Sequence, residues 1–209
     1  MTFLLFLLAI LVLFPADLAA QEILIPWGHR PAALSQELLS SNESQRYRGP
    51  TSFRIGPDGD VYVLDTLASK LERYSLSGEY VESYSFPDVS PKDEELRGID
   101  FAFVPASSGG GIYVLEEALR SVIVIDEDSG VAGLIPLPRV GKKPLFLTGI
   151  ECDENGKIYV GNGFDNSITR FSPDGRAAKS LHCVGAQRMV FGEDRYFYST
   201  EVVNTASLS

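Results

Sequence analysis

The sequence predicts an all-β fold built from repeated, four-stranded antiparallel sheets. Short runs of β-branched and aromatic residues alternate with turn residues along most of the chain. A strand–turn–strand unit in residues 49–66 returns three times further along. The second strand of each unit carries an aromatic residue at a corresponding place, namely Tyr62, Tyr113, Tyr159 and Phe197. Internal repetition of this kind is typical of a repeat architecture.

The first 20 residues are expected to be a secretory signal peptide. Residues 3–14 form an apolar run that is short for a membrane span, Pro15 ends it, and small residues up to Ala20 follow. Cleavage after Ala20 places the mature protein outside the cytoplasm, either secreted or periplasmic, with no membrane attachment. The alternatives are an uncleaved anchor and a buried core helix.

Residues 21–48 are predicted to be a lead-in that precedes the repeats. Residues 22–27 favour a short strand. Leu34 and Leu38 have a spacing that favours a turn or two of helix over residues 31–39. Residues 40–45 are polar and are predicted to form a loop.

The first repeat unit runs from Gly49 to about Phe86. Pro57-Asp58-Gly59 predicts a tight turn, since proline presets φ, aspartate bonds nearby backbone and glycine accepts a positive φ. The four strands are predicted at residues 53–55, 61–64, 69–75 and 80–84. Four short antiparallel strands in about 40 residues are typical of one blade of a β-propeller.

The later units follow the same order with looser turns. The second unit begins at Arg97, after a polar link at residues 87–95, and the third begins at Leu147. A fourth unit begins at Ala186 and is only partly present when the sequence stops at Ser209. The prediction is therefore a propeller domain over residues 49–209 with three complete blades and a partial fourth.

Two of the units resemble NHL repeats. The first reads Gly-Pro…Gly-Asp-Val-Tyr-Val-Leu-Asp-Thr…Leu-Glu-Arg-Tyr over residues 49–74, and the third reads Asn-Gly-Lys-Ile-Tyr-Val…Ile-Thr-Arg-Phe-Ser-Pro-Asp-Gly over residues 155–175. The chain also resembles gluconolactonase-like and virginiamycin-B-lyase-like propellers, over about residues 49–200. The resemblance implies a propeller, most often of six blades. A truncated product of a longer propeller is expected, with a four-bladed ring and a ring completed by association as alternatives.

Composition and motifs exclude several functions. A formal net charge of −10 argues against nucleic acid, whose phosphates need a basic face, and against electrostatic docking to anionic lipid. The only two histidines, His29 and His182, are too few for a three-histidine zinc site. The sequence contains no Gly-x-Ser-x-Gly nucleophile elbow and no glycine-rich phosphate loop. We therefore expect no catalytic residues.

The candidate site residues follow the second strand of each unit. Asp65, Glu116 and Asn162 occupy this place in the first three units, and Thr200 occupies it in the fourth. We expect them to contribute to ligand binding where these loops converge. The resemblance to gluconolactonases implies a divalent cation such as Ca²⁺ held by oxygen ligands there. The alternative is that each side chain caps the turn that follows it by bonding backbone amides.

The two cysteines, Cys152 and Cys183, leave two possibilities open. An oxidising compartment would permit a disulfide between them. They could equally be two buried thiols. Their separation does not match the spacing of a metal site.

The sequence as a whole predicts an extracytoplasmic, non-catalytic scaffold without a cofactor. Its ligand is expected to be a protein, a peptide or a carbohydrate bound on one face of the ring, since loops on propeller faces carry recognition. The alternatives are a divalent-metal-dependent hydrolase or lyase of the gluconolactonase or virginiamycin-B-lyase type, and a non-functional fragment of a six-bladed propeller.

Overall fold

The computed structural model describes residues 23–28, 33–41, 44–86, 97–138, 146–182, 189–191 and 197–199. Residues 1–20, which are predicted to be a signal peptide, lie outside these residues, as do His29, Cys183 and Thr200. The predictions made for them remain predictions. Within the described part, no helix has the length and apolar character needed to cross a membrane.

Sheet 1 is the four-stranded antiparallel sheet predicted for the first unit. Its strands, in spatial order, are β3 (Ser52–Ile55), β4 (Val61–Asp65), β5 (Lys70–Tyr74) and β6 (Tyr80–Ser85). The turn between β3 and β4 closes through a hydrogen bond from Gly59 N to Gly56 O at 2.9 Å, and Asp58 Oδ1 accepts from Asp60 N at 3.1 Å. Gly59 has a φ of 88°, which is the conformation expected for it.

Sheets 2 and 3 repeat this arrangement and confirm the four-stranded antiparallel prediction. Sheet 2 contains β7 (Gly98–Phe103), β8 (Ile112–Glu116), β9 (Ser121–Asp126) and β10 (Gly130–Pro136). Sheet 3 contains β11 (Leu147–Cys152), β12 (Ile158–Asn162), β13 (Ser167–Phe171) and β14 (Ala177–His182). The looser turn between β7 and β8 holds a single 3₁₀ turn, Ala106–Ser108.

The lead-in contains strands, so the helix predicted over residues 31–39 is wrong. β1 (Glu37–Ser41) pairs with β2 (Ser44–Arg48) in an antiparallel hairpin, and β2 begins inside the predicted loop. Leu34 forms an isolated bridge with Trp27, and Leu34 N donates to Pro26 O at 2.9 Å. The extended chain buries Leu34 against sheet 1, and this tertiary contact outweighs the weak helical spacing.

A second hairpin follows sheet 3. β15 (Met189–Phe191) pairs with β16 (Phe197–Ser199) in antiparallel fashion, and β15 lies beside β11. These strands fall where the fourth unit is predicted to begin. Whether they form the start of a fourth blade remains a prediction.

The sheets pack face to face in chain order, and each has a front and a rear face. The front face of sheet 1 contains Val61, Val63 and Tyr74, and its rear face contains Tyr62, Leu64, Leu71 and Tyr84. One core joins the rear of sheet 1 to the front of sheet 2, including Phe101, Val114 and Ile123. The next joins the rear of sheet 2 to the front of sheet 3, including Leu115, Ile150 and Val160. Each fully buried side chain of this kind contributes roughly 1.5–3 kcal/mol.

Candidate functional site

The predicted site residues lie at one end of the sheets, which we call the Asp65 end. It consists of the turns 66–69, 117–120 and 163–166, between the second and third strands of each sheet. Asp65, Glu116 and Asn162 are the last residues of β4, β8 and β12, and all three are buried. The alignment of the repeats therefore placed these three residues at equivalent positions correctly.

Glu116 and Asn162 bind backbone amides of their own sheets. Glu116 Oε1 accepts from Arg97 N at 3.0 Å and Ala118 N at 2.8 Å, and Glu116 Oε2 accepts from Leu119 N at 2.6 Å. Asn162 Oδ1 accepts from Phe146 N at 2.9 Å and from Phe164 N at 3.1 Å. In both sheets the side chain links the turn to the residue just before the first strand.

Asp65 makes the same turn contact but reaches a different second partner. Asp65 Oδ1 accepts from Ala68 N at 3.1 Å, and Asp65 Oδ2 accepts from Ser35 N in the lead-in at 2.6 Å. Asp65 therefore holds the lead-in against sheet 1.

The three turns also share one backbone conformation. Their last residues, Ser69, Arg120 and Asn166, have φ values of 50°, 51° and 50°. Side chains that accept from successive backbone amides stabilise such turns. The geometry matches the alternative that each side chain caps the turn that follows it. The part of these residues in ligand binding remains a prediction.

These three residues do not fit a shared cation. Their oxygens already accept from backbone N–H groups within their turns or in the lead-in. Among the residues that the structure describes, no group of three or more His, Cys, Asp or Glu side chains is arranged to hold a metal ion.

A second cluster, which we call the inner-strand cluster, joins all three sheets. It consists of Arg54 on β3, Asp100 on β7 and Glu151 on β11, each on the first strand of its sheet. Arg54 Nη1 donates to Glu151 Oε1 at 2.5 Å, and Arg54 Nη2 donates to Asp100 Oδ2 at 3.3 Å and to Ile150 O at 3.2 Å. Asp100 also accepts from Ser52 Oγ at 2.7 Å and from Ile150 N at 3.0 Å.

Opposite charges in this cluster attract one another and so connect the three sheets. Burial raises the pKa of Glu151, and the positive charge of Arg54 opposes that rise. Burial alone would lower the pKa of Arg54, but Asp100 and Glu151 together raise it above its ordinary value. The cluster thus holds one cation between two carboxylates, and its polar atoms are engaged with one another.

Sequence reasoning did not find the inner-strand cluster. Arg54 lies 46 residues from Asp100 and 97 from Glu151, so no local motif brings them together. The available signal was a charged residue on the otherwise apolar first strand of each unit. In a propeller those strands lie side by side around the axis.

The other end of the sheets, which we call the Gly59 end, carries a cleft of about 480 Å³ between sheets 1 and 2. Its lining combines the apolar residues Pro57, Phe103 and Pro105 with three acidic residues, Asp126, Glu127 and Asp128. Asp126 Oδ1 accepts from Asp128 N at 3.0 Å and from Ser129 N at 2.9 Å. The complete lining is Pro57, Phe103, Val104, Pro105, Ala106, Gly109, Gly110, Gly111, Asp126, Glu127 and Asp128.

One glycine in the lining is required by close backbone approach. Gly111 has a φ of 96°, and a Cβ at this position would lie 2.5 Å from Ile125 O. The 105–111 loop can therefore lie directly against β9, which shapes one wall of the cleft.

The field around the cleft is negative. Burial raises the pKa of Glu127, and the nearby carboxylates of Asp58, Glu82 and Asp128 raise it further, while Arg73 opposes them. Arg73 is itself held by three carboxylates, through contacts of 2.6 Å to Asp58, 2.7 Å to Asp60 and 2.9 Å to Glu82.

Cys152 and His182 are two further side chains that could take part in chemistry, and they lie in different environments. Burial raises the pKa of the Cys152 thiol to about 12, so the thiolate is scarce at neutral pH. His182 is exposed at the end of β14. The disulfide predicted between Cys152 and Cys183 involves a residue outside the described part of the chain and remains a prediction.

Comparisons with known proteins identify the fold. No family model and no curated protein matches the chain. Selenomethionine-substituted virginiamycin B lyase from Staphylococcus aureus is similar in structure, with a TM-score of 0.51 and 18% identity over 75% of this chain and 53% of that one. A gluconolactonase from Xanthomonas campestris has a TM-score of 0.50 and 15% identity over 70% and 52%. These are propeller-type proteins. The chain spans about half the length of the solved structures it matches, and at this identity the likeness shows the fold alone.

Proposed function

We propose that this chain is a non-catalytic, extracytoplasmic β-propeller scaffold. It binds a peptide segment with cationic side chains in the cleft at the Gly59 end. The observation that carries the proposal is that one cleft is lined both by apolar residues and by Asp126, Glu127 and Asp128. In the described part of the chain, none of these three carboxylates forms an ion pair.

The cleft suits the two parts of a lysine or arginine side chain. Pro57, Phe103 and Pro105 offer apolar surface to an aliphatic stem, and Glu127 and Asp128 in the same lining offer acceptors to its charged head. The fixed negative charge around Glu127 favours a cation over a neutral sugar. A protein with a formal net charge of −10 also attracts cationic partners at long range.

The proposal places the ligand at the opposite end from the predicted site residues. The side chains of Asp65, Glu116 and Asn162 accept hydrogen bonds from backbone amides. The three residues predicted to bind ligand at the Asp65 end are therefore already engaged, whereas the cleft at the Gly59 end has exposed carboxylates in its lining.

A direct test is fluorescence anisotropy with a labelled penta-arginine peptide and a penta-glutamate peptide as the negative probe. We expect the wild-type protein to bind only the cationic peptide, more weakly as salt rises. The double variant E127Q/D128N should bind it about fivefold more weakly, since each exposed ion pair contributes about 0.5 kcal/mol. Glu117→Gln, an exposed carboxylate at the Asp65 end, is the matched control and should bind like the wild type.

Two results would overturn the proposal. One is equal affinity of E127Q/D128N and wild type for the cationic peptide. The other is a stoichiometric divalent metal in the purified protein that is lost in Asp65→Ala or Asn162→Ala. That second result would support a metal-dependent hydrolase or lyase instead.

A further inference from the structure

A row of three aromatic rings crosses the interface between sheets 1 and 2. It consists of Tyr62 on β4 and of Phe101 and Phe103 on β7. The Phe103 ring is the middle one, since its centroid lies 4.9 Å from that of Tyr62 and 5.8 Å from that of Phe101. Both contacts are edge-to-face, with interplanar angles of 81° and 82°. Phe103 also lines the cleft at the Gly59 end, so the row reaches from the core into the cleft.

The two outer rings of this row each carry an arginine. The guanidinium carbon of Arg73 lies 5.6 Å from the centroid of the Tyr62 ring. The guanidinium carbon of Arg54 lies 5.7 Å from the centroid of the Phe101 ring. The negative face of an aromatic ring attracts a cation at this distance. Within the part of the chain that the structure describes, no cation lies over the middle ring, Phe103.

Carboxylates hold each of these two guanidinium groups beside its ring. Arg54 forms ion pairs with two carboxylates, Asp100 and Glu151. Arg73 forms ion pairs with three, Asp58, Asp60 and Glu82. A guanidinium is planar and carries its five N–H donors in that plane, so its face can stack on a ring while its edge donates to carboxylates. An aromatic ring with carboxylates beside it is therefore an arrangement that this protein uses twice to hold an arginine side chain.

The middle ring has carboxylates near it as well. Phe103 lies level with Ile125 in sheet 2, since both residues pair with Ile112. Glu127 and Asp128 lie in the turn that follows β9, so they are at the same end of sheet 2 as Phe103. All three line the cleft, and the two carboxylates are exposed. The cleft thus combines a ring and carboxylates, as around Arg54 and Arg73, at a place that a ligand can reach.

We propose that the cleft selects arginine over lysine, with a guanidinium of the bound peptide stacked on the Phe103 ring and donating to Glu127 and Asp128. A guanidinium makes both contacts at once, whereas the lysine ammonium is a more strongly hydrated point charge that loses more on leaving water. The carboxylates attract either cation, so Phe103 is the residue that determines specificity. This inference rests on the proposed function, namely the binding of a cationic peptide in this cleft.

The test is fluorescence anisotropy with two labelled peptides of equal charge, penta-arginine and penta-lysine. We expect the wild-type protein to bind penta-arginine about fivefold more tightly than penta-lysine. Phe103→Leu keeps an apolar side chain but removes the ring, and should reduce this preference to less than about twofold. Phe164→Leu removes an exposed ring at the Asp65 end. It is the matched control and should show the wild-type preference.

The preference is a ratio of two affinities of the same protein, so partial unfolding of a variant lowers both affinities and leaves the ratio unchanged. Phe103→Tyr keeps the ring and should show most of the wild-type preference. Equal affinity of the wild type for the two peptides, or an undiminished preference in Phe103→Leu, would overturn the selection of arginine. If those equal affinities still fall in E127Q/D128N, the proposed cation binding stands and only this inference fails. Binding of neither peptide would overturn both.

Discussion

Asp65, Glu116 and Asn162 at one end of the sheets differ from Glu127 and Asp128 at the other end in burial and in hydrogen bonding. At the Asp65 end, buried oxygens of Asp65, Glu116 and Asn162 accept from backbone amides and hold turns of one conformation. At the Gly59 end, Glu127 and Asp128 lie exposed on the rim of a cleft. The carboxylates of Asp65 and Glu116 thus stabilise turns, whereas those of Glu127 and Asp128 are exposed and form no ion pair within the described part of the chain.

This difference gives a structural reason for the recurrence of a polar side chain after the second strand. A side chain that recurs in every unit meets a need of the unit, which here is a turn with several backbone N–H groups to satisfy. The cleft is formed by the parts that do not recur, such as the long 105–111 loop of sheet 2. Under the proposed function, the ligand is bound by parts of the sheets that vary between the repeats.

The largest expected loss of stability follows the substitution of Glu116. Glu116→Ala leaves three backbone N–H groups without their carboxylate acceptor in a buried place, and should lower the free energy of unfolding by about 3 kcal/mol. Glu117→Ala, its exposed neighbour, should change it by no more than about 0.5 kcal/mol. Urea denaturation of both variants is the measurement. Equal urea midpoints for Glu116→Ala and Glu117→Ala would contradict a structural role for Glu116.

The next effect concerns the inner-strand cluster, which lies between the two ends. Arg54→Met leaves Glu151 buried without its countercharge and should cost about 1–3 kcal/mol, less than for a fully buried pair because Arg54 retains some exposure. Arg176→Met, in an exposed ion pair with Asp174, should cost less than about 0.5 kcal/mol.

The pH dependence of Arg54→Met has a definite sign. The folded-state pKa of Glu151 already exceeds its ordinary value, and loss of Arg54 raises it further. The cost is present above the folded-state pKa and vanishes below the unfolded value of about 4. Thermal unfolding should therefore show a variant deficit at about pH 7 that shrinks toward about pH 4. A deficit that grows on acidification would refute this role for Glu151.

A smaller loss of stability is expected for Asp65→Ala and Asn162→Ala, and the two variants should differ in their susceptibility to proteolysis. Each alanine variant should lose about 1–2 kcal/mol with its turn cap. Only Asp65→Ala should also release the lead-in, because Asp65 alone of the pair binds Ser35 N. Limited chymotrypsin digestion with mass spectrometry should show faster cleavage near Trp27 in Asp65→Ala than in Asn162→Ala. Identical cleavage rates would show that the Asp65–Ser35 contact does not anchor this segment.

The smallest expected change in stability is at the Gly59 end, where substitution of Glu127 should stabilise the protein. Burial and neighbouring carboxylates raise the pKa of Glu127, so its ionised form opposes folding above that pKa. Glu127→Gln should stabilise the protein by up to about 0.5 kcal/mol at about pH 7 and have no effect at about pH 3. Thermal melts at the two pH values check this. Destabilisation at about pH 7 would mean that Glu127 supports the fold.

Most of the sheet architecture was predictable from local patterns. Pro57-Asp58-Gly59 and the strand at Val61–Asp65 were predicted from turn chemistry and β-propensity, and both are present. The lead-in was mispredicted because the spacing of Leu34 and Leu38 is a weak local signal. Burial of Leu34 against sheet 1 decides its conformation, and no local pattern encodes that contact.

The candidate site was less predictable than the fold. Repeat alignment identified Asp65, Glu116 and Asn162 as equivalent, but not the amides they bind, one of which lies 30 residues away. The cleft was not predicted, because it requires the turn at Pro57 and the loops of sheet 2 to lie together across the sheet interface. Such juxtapositions follow from the packing of sheets.

The most direct test of the proposed function is to locate the bound cationic peptide. The ¹⁵N-labelled protein is titrated with penta-arginine, and backbone amide shifts are followed at both ends of the sheets. We expect progressive shifts in the amides of residues 106–111 and 126–128, and unchanged amides in residues 117–120 and 163–166. Shifts confined to the Asp65 end, or no shifts at either end, would contradict the account.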